Sequence, residues 1–146
     1  MATSTSGEIR IGGIAVSPLI EGADTGGGVA IHRFTVDAGA RVPVAHSHDD
    51  YDETVYGLAG VLTWTISGET TEVGPGELVH IPRGAVHHFD NPHDVAATQL
   101  AIVTPGILGA AYFEEIAAVL AAAAGGPPDV AAIGEVMRRH GLTPAP

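Results

Sequence analysis

The chain contains no cysteine and no lysine, and its six basic residues are all arginines. Without cysteine it cannot form disulfides, thiolate nucleophiles, iron–sulfur clusters or cysteine-type zinc sites. Without lysine it cannot form a Schiff base through a side chain. These absences exclude thiolate and Schiff-base chemistry from any site in this protein.

Positive charge is also scarce, and the formal net charge of the 146 residues is −11. A chain this acidic is repelled by phosphate backbones and by anionic lipid, so we expect no nucleic-acid partner and no membrane partner. No apolar run approaches the roughly 18 residues that span a bilayer. The opening stretch, MATSTSGEIR, lacks the basic and apolar regions of a secretory signal, and a cytoplasmic location is expected.

Short strand-like runs recur from about residue 9 to residue 103, with clusters of Gly, Pro, Asp and Asn between them. Strands at spacings of about ten residues, separated by turn signals, predict an antiparallel sandwich or barrel. No helical pattern interrupts these strands, which argues against parallel βαβ units. We therefore predict an all-β unit over residues 1–105.

The pattern changes after residue 105. Apolar residues then recur at helical spacing in two stripes, formed by Phe113, Ile116 and Leu120 and by Val130, Ile133 and Met137. The sequence predicts a tail of two helices over residues 106–146, packed on the outside of the β unit or at a dimer contact. The alternative is that the tail forms a lid over the mouth of the barrel.

Two short segments hold side chains that suit a metal ion. His46 and His48 are two residues apart, so on a strand both imidazoles point to one face. Glu53 follows five residues later and can meet them only if the chain turns within residues 49–52. His87, near the start of a later strand, completes three imidazoles and one carboxylate, a set that suits a divalent transition metal.

The same segments carry a resemblance to the cupin family. The first cupin motif is a glycine, H-x-H, a glutamate and a second glycine, and it is matched by Gly39, His46, His48, Glu53 and Gly60, with a first spacer one residue longer than the commonest form. The second motif is a glycine, P-x-G, a histidine and an asparagine, and it is matched in full by Gly76, Pro82, Gly84, His87 and Asn91. The resemblance covers roughly residues 30–104.

This resemblance implies a double-stranded β-helix, or jelly-roll barrel, with one divalent ion inside it: Fe, Mn, Ni, Co, Cu or Zn. The ligands that it implies are His46, His48, Glu53 and His87. Such barrels commonly pair, so a homodimer is expected. Asn91 is expected to fix a turn through its side chain rather than to touch substrate.

Strand parity indicates which side chains face the interior near this site. Val55 and Gly57 share parity with Glu53, and Phe89 lies two residues after the last ligand, so all three are expected to line the pocket. A glycine at residue 57 would leave room near the metal or would mark a bend in the strand. Trp64 belongs to an alternating apolar set that is either barrel lining or outer packing. An apolar pocket suits an aromatic or aliphatic organic substrate better than a phosphorylated sugar.

Four protein ligands leave two positions of an octahedral ion for water, O2 or substrate. Small cupins with this ligand set include dioxygenases similar to quercetinases. The resemblance therefore implies a dioxygenase that acts on a small aromatic or enolic substrate, with Glu53 as the group that takes a proton. One alternative is a non-redox isomerase, lyase or cyclase, in which the metal polarises a carbonyl. The other is a metal-bearing protein that binds a small molecule without turnover.

Overall fold

The protein is described by a computed structural model that covers residues 7–42 and 44–146. Residues 1–6, the first part of the predicted β unit, lie outside the described residues. The elements, in chain order, are β1 (Ile9–Ile11), β2 (Ile14–Ile20), a 3-10 helix (Gly22–Thr25), β3 (Ala30–Val36), β4 (His46–His48), β5 (Asp52–Ala59), β6 (Leu62–Ile66), β7 (Glu69–Val73), β8 (Leu78–Ile81), β9 (His87–Asp90), β10 (Ala97–Thr104), α1 (Ala110–Ala122), α2 (Val130–Arg139) and β11 (Leu142–Pro144).

The strands form two antiparallel sheets. The six-stranded sheet has the order β1-β2-β3-β10-β5-β8, and the five-stranded sheet has the order β11-β4-β9-β6-β7. From β3 onward the chain passes back and forth between the two sheets, which is the topology of a jelly roll. The predicted all-β jelly roll followed by two helices is confirmed, with the sheets arranged as a sandwich rather than as a closed barrel.

The core lies between the sheets. Alternate residues of β3 and β10 are buried, as the period of two in a strand requires. A polar contact also joins the sheets, since Trp64 Nε1–H donates to Gln99 Oε1 (3.0 Å) and Gln99 Nε2–H donates to the Val73 carbonyl (2.8 Å). Both side chains are fully buried, so these bonds satisfy groups that would otherwise be unpaired. Trp64 therefore belongs to the interior and not to the outer surface.

The tail packs against the β unit and shares its core. Ile116 of α1 and Ile133 and Met137 of α2 are buried, whereas Val130 is 59% exposed because it is the first residue of α2 and precedes the buried turns. After α2 the chain returns to the five-stranded sheet as β11, a strand that the sequence did not predict. Among the described residues, no helix is long and apolar enough to cross a membrane.

Gly57→Ala tests the close packing between β5 and the loop that follows β7. A Cβ at residue 57 would lie 2.0 Å from the carbonyl oxygen of Gly74, so the backbone would have to shift. We expect this substitution to lower the free energy of unfolding by about 1–3 kcal/mol, as overpacking does. Urea unfolding followed by the fluorescence of Trp64 measures the loss.

Gly28→Ala is the matched control for this substitution. The atom nearest to a Cβ at residue 28 is the Thr25 carbonyl oxygen, at an ordinary contact distance of 3.5 Å. An equal loss of stability at both positions would contradict the packing explanation.

Candidate metal centre

Two neighbouring strands of the five-stranded sheet carry the three histidines predicted as ligands. His46 on β4 lies directly opposite His87 on β9. His48 follows two residues after His46 and so shares its face of the strand. One ligand atom from each of the three side chains lies within 4.8 Å of the others. The structure thus brings three of the four predicted ligands into one group that could hold a metal ion.

Two of these imidazoles are oriented by the backbone. His46 Nδ1–H donates to the carbonyl oxygen of Val44 (3.0 Å), and His87 Nδ1–H donates to that of Ala85 (2.9 Å). Because a carbonyl oxygen only accepts, the proton of each neutral ring lies on Nδ1 and the lone pair on Nε2 stays free. Hydrogen bonds of this kind orient histidines for metal binding.

The third imidazole, His48, is oriented by stacking. Its ring lies against Tyr51, with centroids 4.3 Å apart and 19° between the planes. Both side chains are buried, and His48 Nδ1 and the Tyr51 hydroxyl have no hydrogen-bond partner among the described residues. Unpaired buried nitrogens are uncommon in proteins, and coordination of an ion would engage this ring.

Glu53 reaches the histidines from the opposite sheet. The chain leaves the five-stranded sheet at His48, bends at residues 49–50 and enters the six-stranded sheet at Asp52. Strand parity between His48 and Glu53 is therefore irrelevant, because the two residues belong to different sheets. Glu53 Oε1 lies 3.5 Å from His48 Nε2, beside the tight group of three histidines rather than within it.

Burial keeps the three imidazoles neutral. Burial, and then the charge of His87, lower the pKa of His46 to about 3. Burial, followed by the charges of His87 and His46, lowers the pKa of His48 to about 2, and burial also lowers the pKa of His87. Near neutral pH all three side chains are in the form that binds metal ions.

Glu53 is a buried carboxylate without a positive partner. It is 8% exposed, and burial raises its pKa to about 7. The histidine beside it is neutral, and the described arginine ion pairs all involve other carboxylates. A divalent cation among the imidazoles would offset the penalty of burying this charge. The residues present therefore fit a divalent transition-metal ion, which His46, His48, His87 and Glu53 would hold.

The last strand supports the strand that carries the ligands. β11 pairs with β4 along its whole length, with Leu142 opposite His48. The backbone N–H of Asp49 also donates to the carbonyl oxygen of Gly141 (2.8 Å). β4 is therefore flanked by a strand on each side, and its histidines do not lie on a free sheet edge.

The histidines and Glu53 open into a cavity of about 90 Å³ with mostly apolar walls. No described arginine lines it. The lining residues are Ile11, Ile14, Val16, His32, Phe34, Val42, His46, His48, Glu53, Trp64, His87, His88, Phe89, Leu108, Tyr112, Phe113, Ile116, Ile133, Met137 and Leu142.

Of the predicted pocket residues, Trp64 and Phe89 line this cavity, whereas Val55 and Gly57 do not. Both of the latter are buried, as parity predicts, but they lie further along β5, away from Glu53 at its start. The carbonyl oxygen of Gly74 occupies the space that a side chain at residue 57 would need. The absence of a side chain there therefore opens no space near a metal. The expectation for these two positions is therefore corrected.

Asn91 has the structural role expected of it. It is 1% exposed, and its Nδ2 donates to the carbonyl oxygens of Val36 (3.1 Å) and Val95 (2.9 Å). These bonds hold the turn after β9, and the side chain is absent from the cavity lining.

Sequence reasoning missed how much of the cavity the tail supplies. Tyr112 and Phe113 of α1, Met137 of α2 and Leu142 of β11 all line it. The helical stripes indicated which residues are buried but not that they border a cavity. The tail therefore lines the cavity as well as packing on the β unit.

The fold and the site agree with what sequence comparison finds. The model of the cupin domain matches residues 32–103, a range that contains all four predicted ligands. Solved cupin structures share the fold. The chain belongs to the cupin superfamily.

Three similar proteins illustrate the range of the family. Quercetin 2,3-dioxygenase of Bacillus subtilis (strain 168) is 35% identical over 46 residues, which are 32% of this chain but only 14% of that protein. KdgF from Halomonas sp. has a TM-score of 0.60 at 17% identity, covering 68% of this chain and 86% of its own, a likeness of fold alone. The polyketide cyclase RemF from Streptomyces resistomycificus has a TM-score of 0.57 at 27% identity, covering 64% of this chain and 66% of its own.

His48→Ala is expected to lower the metal content of the purified protein. The variant loses one imidazole of the three, and we expect metal affinity to fall by at least about tenfold. Elemental analysis after equal exposure to the same ion measures the metal bound per chain. His80→Ala is the matched control, because His80 is exposed on β8 and contacts Thr54 instead of the site. Full occupancy in the His48 variant would refute its assignment as a ligand.

His32 is expected to make the metal-free protein less stable in acid. It is 7% exposed, and burial lowers its pKa to about 4 from 6.5. Between those values the unfolded chain binds a proton that the folded chain does not, so stability falls as the pH falls from 6.5 toward 4. Within this window, one such group changes the free energy of unfolding by about 1.4 kcal/mol per pH unit.

His32→Phe removes this titration, so its unfolding free energy should depend less steeply on pH in that window. Urea unfolding of chelator-treated protein at several pH values measures the slope, with the exposed residue His80 replaced by Phe as a control. Equal slopes for wild type and His32→Phe would show that His32 does not contribute.

Proposed function

We propose that this cupin is a metal-dependent dioxygenase that acts on a small aromatic or enolic compound. The observation that carries the proposal is the position of three neutral imidazoles and one buried carboxylate beside an apolar cavity lined by Phe34, Trp64 and Phe89. Such walls favour a ring, and no described arginine is placed there for a phosphate group. The identity of 35% to quercetin 2,3-dioxygenase over 46 residues supports the same class.

The size of the cavity favours a small substrate. Its volume of about 90 Å³ lies below the roughly 300–1,000 Å³ of most ligand pockets. A compound with one aromatic or enolic ring is expected to enter without rearrangement. A larger flavonol requires the tail, which forms one wall, to move outward.

The protein's own part in the reaction is to hold the substrate and to handle its proton. When bound, a divalent transition metal supplies Lewis acidity, and a redox-active ion also supplies the electron chemistry that O2 requires. Glu53 is the carboxylate that lines the cavity, so it is placed to accept a proton from an enolic hydroxyl held there. The apolar walls exclude water from the reacting groups.

A non-redox cyclase or isomerase is the second candidate function. RemF, which is 27% identical to this chain, is described as a polyketide cyclase. A carboxylate in an apolar cavity also suits proton transfer without O2. The two candidates share the site and differ in whether O2 is consumed.

We also propose that the chain has two structural units, residues 1–105 and 106–146. We further propose that the protein works in the cytoplasm, without nucleic-acid or membrane partners, and that it forms a homodimer. Tyr56 and Leu78, which are paired on neighbouring strands, are 36% and 65% exposed and form a surface that a second copy would cover. Analytical ultracentrifugation measures the assembly, and a monomer at high concentration would contradict it.

Oxygen uptake distinguishes the candidate functions. Chelator-treated protein is reloaded with iron, manganese, nickel, cobalt, copper or zinc and mixed with quercetin or with maltol, a single-ring enolic ketone. A dioxygenase is expected to consume O2 in step with substrate when it holds a redox-active ion, and to be inactive with zinc. Product formed under nitrogen with zinc would favour the cyclase or isomerase. Binding without product in every metal form would contradict both enzymes.

Glu53→Gln tests the proton-accepting role. The substitution keeps the shape of the side chain but removes the basic carboxylate, so we expect kcat to fall by about 100-fold or more. Metal per chain is measured in parallel, because loss of metal would lower the rate for a different reason. Glu114→Gln, at an exposed position of α1, is the control. An unchanged kcat with full metal content would contradict the role of Glu53.

A further inference from the structure

The wall that the tail gives to the cavity is apolar except at one residue. The lining residues after residue 105 have apolar side chains, apart from Tyr112 on α1, which carries a hydroxyl. Tyr112 also lies outside residues 32–103, the range that matches the cupin domain. Its hydroxyl is therefore a polar group that the tail of this chain adds to the site.

This hydroxyl has no hydrogen-bond partner among the described residues, and its side chain lines the cavity. Tyr112 is 6% exposed, and its hydroxyl forms no hydrogen bond within residues 7–42 and 44–146. A phenol that faces an apolar cavity gains most from an acceptor that enters that cavity, since buried tyrosine hydroxyls usually find a partner. Because the side chain lines the cavity, a ligand there is the natural acceptor.

Tyr112 lines the same cavity as Glu53 and the three histidines. Burial, and then the negative charge of Glu53, raise the pKa of Tyr112, which places the phenol within reach of the field of that carboxylate. Burial, then the charge of Glu53 and then that of Tyr112 raise the pKa of Tyr51, the residue that stacks on His48. The group therefore stays protonated and is a donor on the cavity side of the histidines.

The ring of Tyr112 is held in place before any ligand arrives. Its edge meets Phe113, with centroids 5.2 Å apart, and His140, with centroids 5.5 Å apart. His140 is bonded to Glu115 of α1, and Arg139 Nη2 donates to the same carboxylate (2.6 Å). These contacts tie α1 to α2, so little further ordering is needed when a ligand binds.

We propose that Tyr112 is a substrate-binding residue, whose hydroxyl donates a hydrogen bond to an oxygen atom of the aromatic or enolic substrate while the histidine side of the cavity faces the same molecule. The inference rests on the proposed function and adds a requirement to it. The substrate carries a second oxygen, such as a carbonyl or phenol, that accepts from the tail. Compounds that lack this oxygen bind more weakly.

Tyr112→Phe removes only the hydroxyl and tests this assignment. The fluorescence of Trp64, the sole tryptophan, reports binding because Trp64 lines the cavity. We expect metal-loaded Tyr112→Phe to bind maltol or quercetin about tenfold more weakly than wild type, with a raised KM, a smaller change in kcat and unchanged metal content. Tyr56→Phe, at an outward-facing position of β5, is the control and should bind as wild type does.

The stability of the ligand-free protein separates this role from a structural one. Removing a hydroxyl that bonds to no described residue should leave the urea midpoint unchanged or raise it, whereas loss of a structural hydrogen bond would lower it. A set of maltol or quercetin analogues, each lacking one oxygen, completes the test. The analogue that binds wild type and Tyr112→Phe equally lacks the oxygen that Tyr112 contacts.

Two results overturn the inference, and they can be told apart. If wild type binds and oxidises these compounds and Tyr112→Phe does so equally well, the role of Tyr112 is wrong and the proposed function stands. If metal-loaded wild type neither binds nor converts them, the proposed function fails and the inference fails with it. A lowered urea midpoint or lost metal in Tyr112→Phe would assign the residue a structural role instead.

Discussion

The site depends on one constraint. Three imidazoles and one carboxylate are buried between two apolar sheets, and no described positively charged side chain accompanies them. In the absence of a metal, burial keeps three imidazoles neutral and raises the pKa of Glu53, which lies beside them, to about 7. The backbone carbonyls of Val44 and Ala85 direct two of the rings. Without a cation, this arrangement weakens the fold, since every group in it would be better solvated in the unfolded chain. A bound divalent ion removes that penalty, so its binding free energy adds to the stability of the sandwich.

The two parts of the chain contribute differently to the site. The part that matches the cupin domain supplies the histidines and the carboxylate, which determine what kind of ion and chemistry the site suits. The tail supplies much of the apolar wall, and with it the shape of the space that a substrate occupies. The proteins similar to this chain include a quercetin 2,3-dioxygenase and a polyketide cyclase, in keeping with the rule that one fold hosts several functions.

Much of the architecture could be predicted from local patterns, and the failures follow from what those patterns leave out. Turn residues between apolar runs indicated the strands, and the period of two placed His46 and His48 on one face. The same period could not relate His48 to Glu53, because the chain changes sheet between them. The period of two correctly predicted that Val55 and Gly57 face inward. It carries no information about where along the interior a residue lies. β11 could not be predicted from its own residues, because it is three residues long and contains a proline. It is identified as a strand by its pairing with the distant β4.

That pairing bears on how the protein matures during translation. β4 is synthesised early, but its neighbour β11 is formed by residues 142–144, which leave the ribosome long after the histidines of β4. Until then the strand that carries His46 and His48 has an unpaired edge, and its ordering depends on one short contact with β9. Contacts this distant in sequence form late in folding. An ion held by His46 and His48 would therefore gain the full support of the sheet only once residues 142–144 are in place.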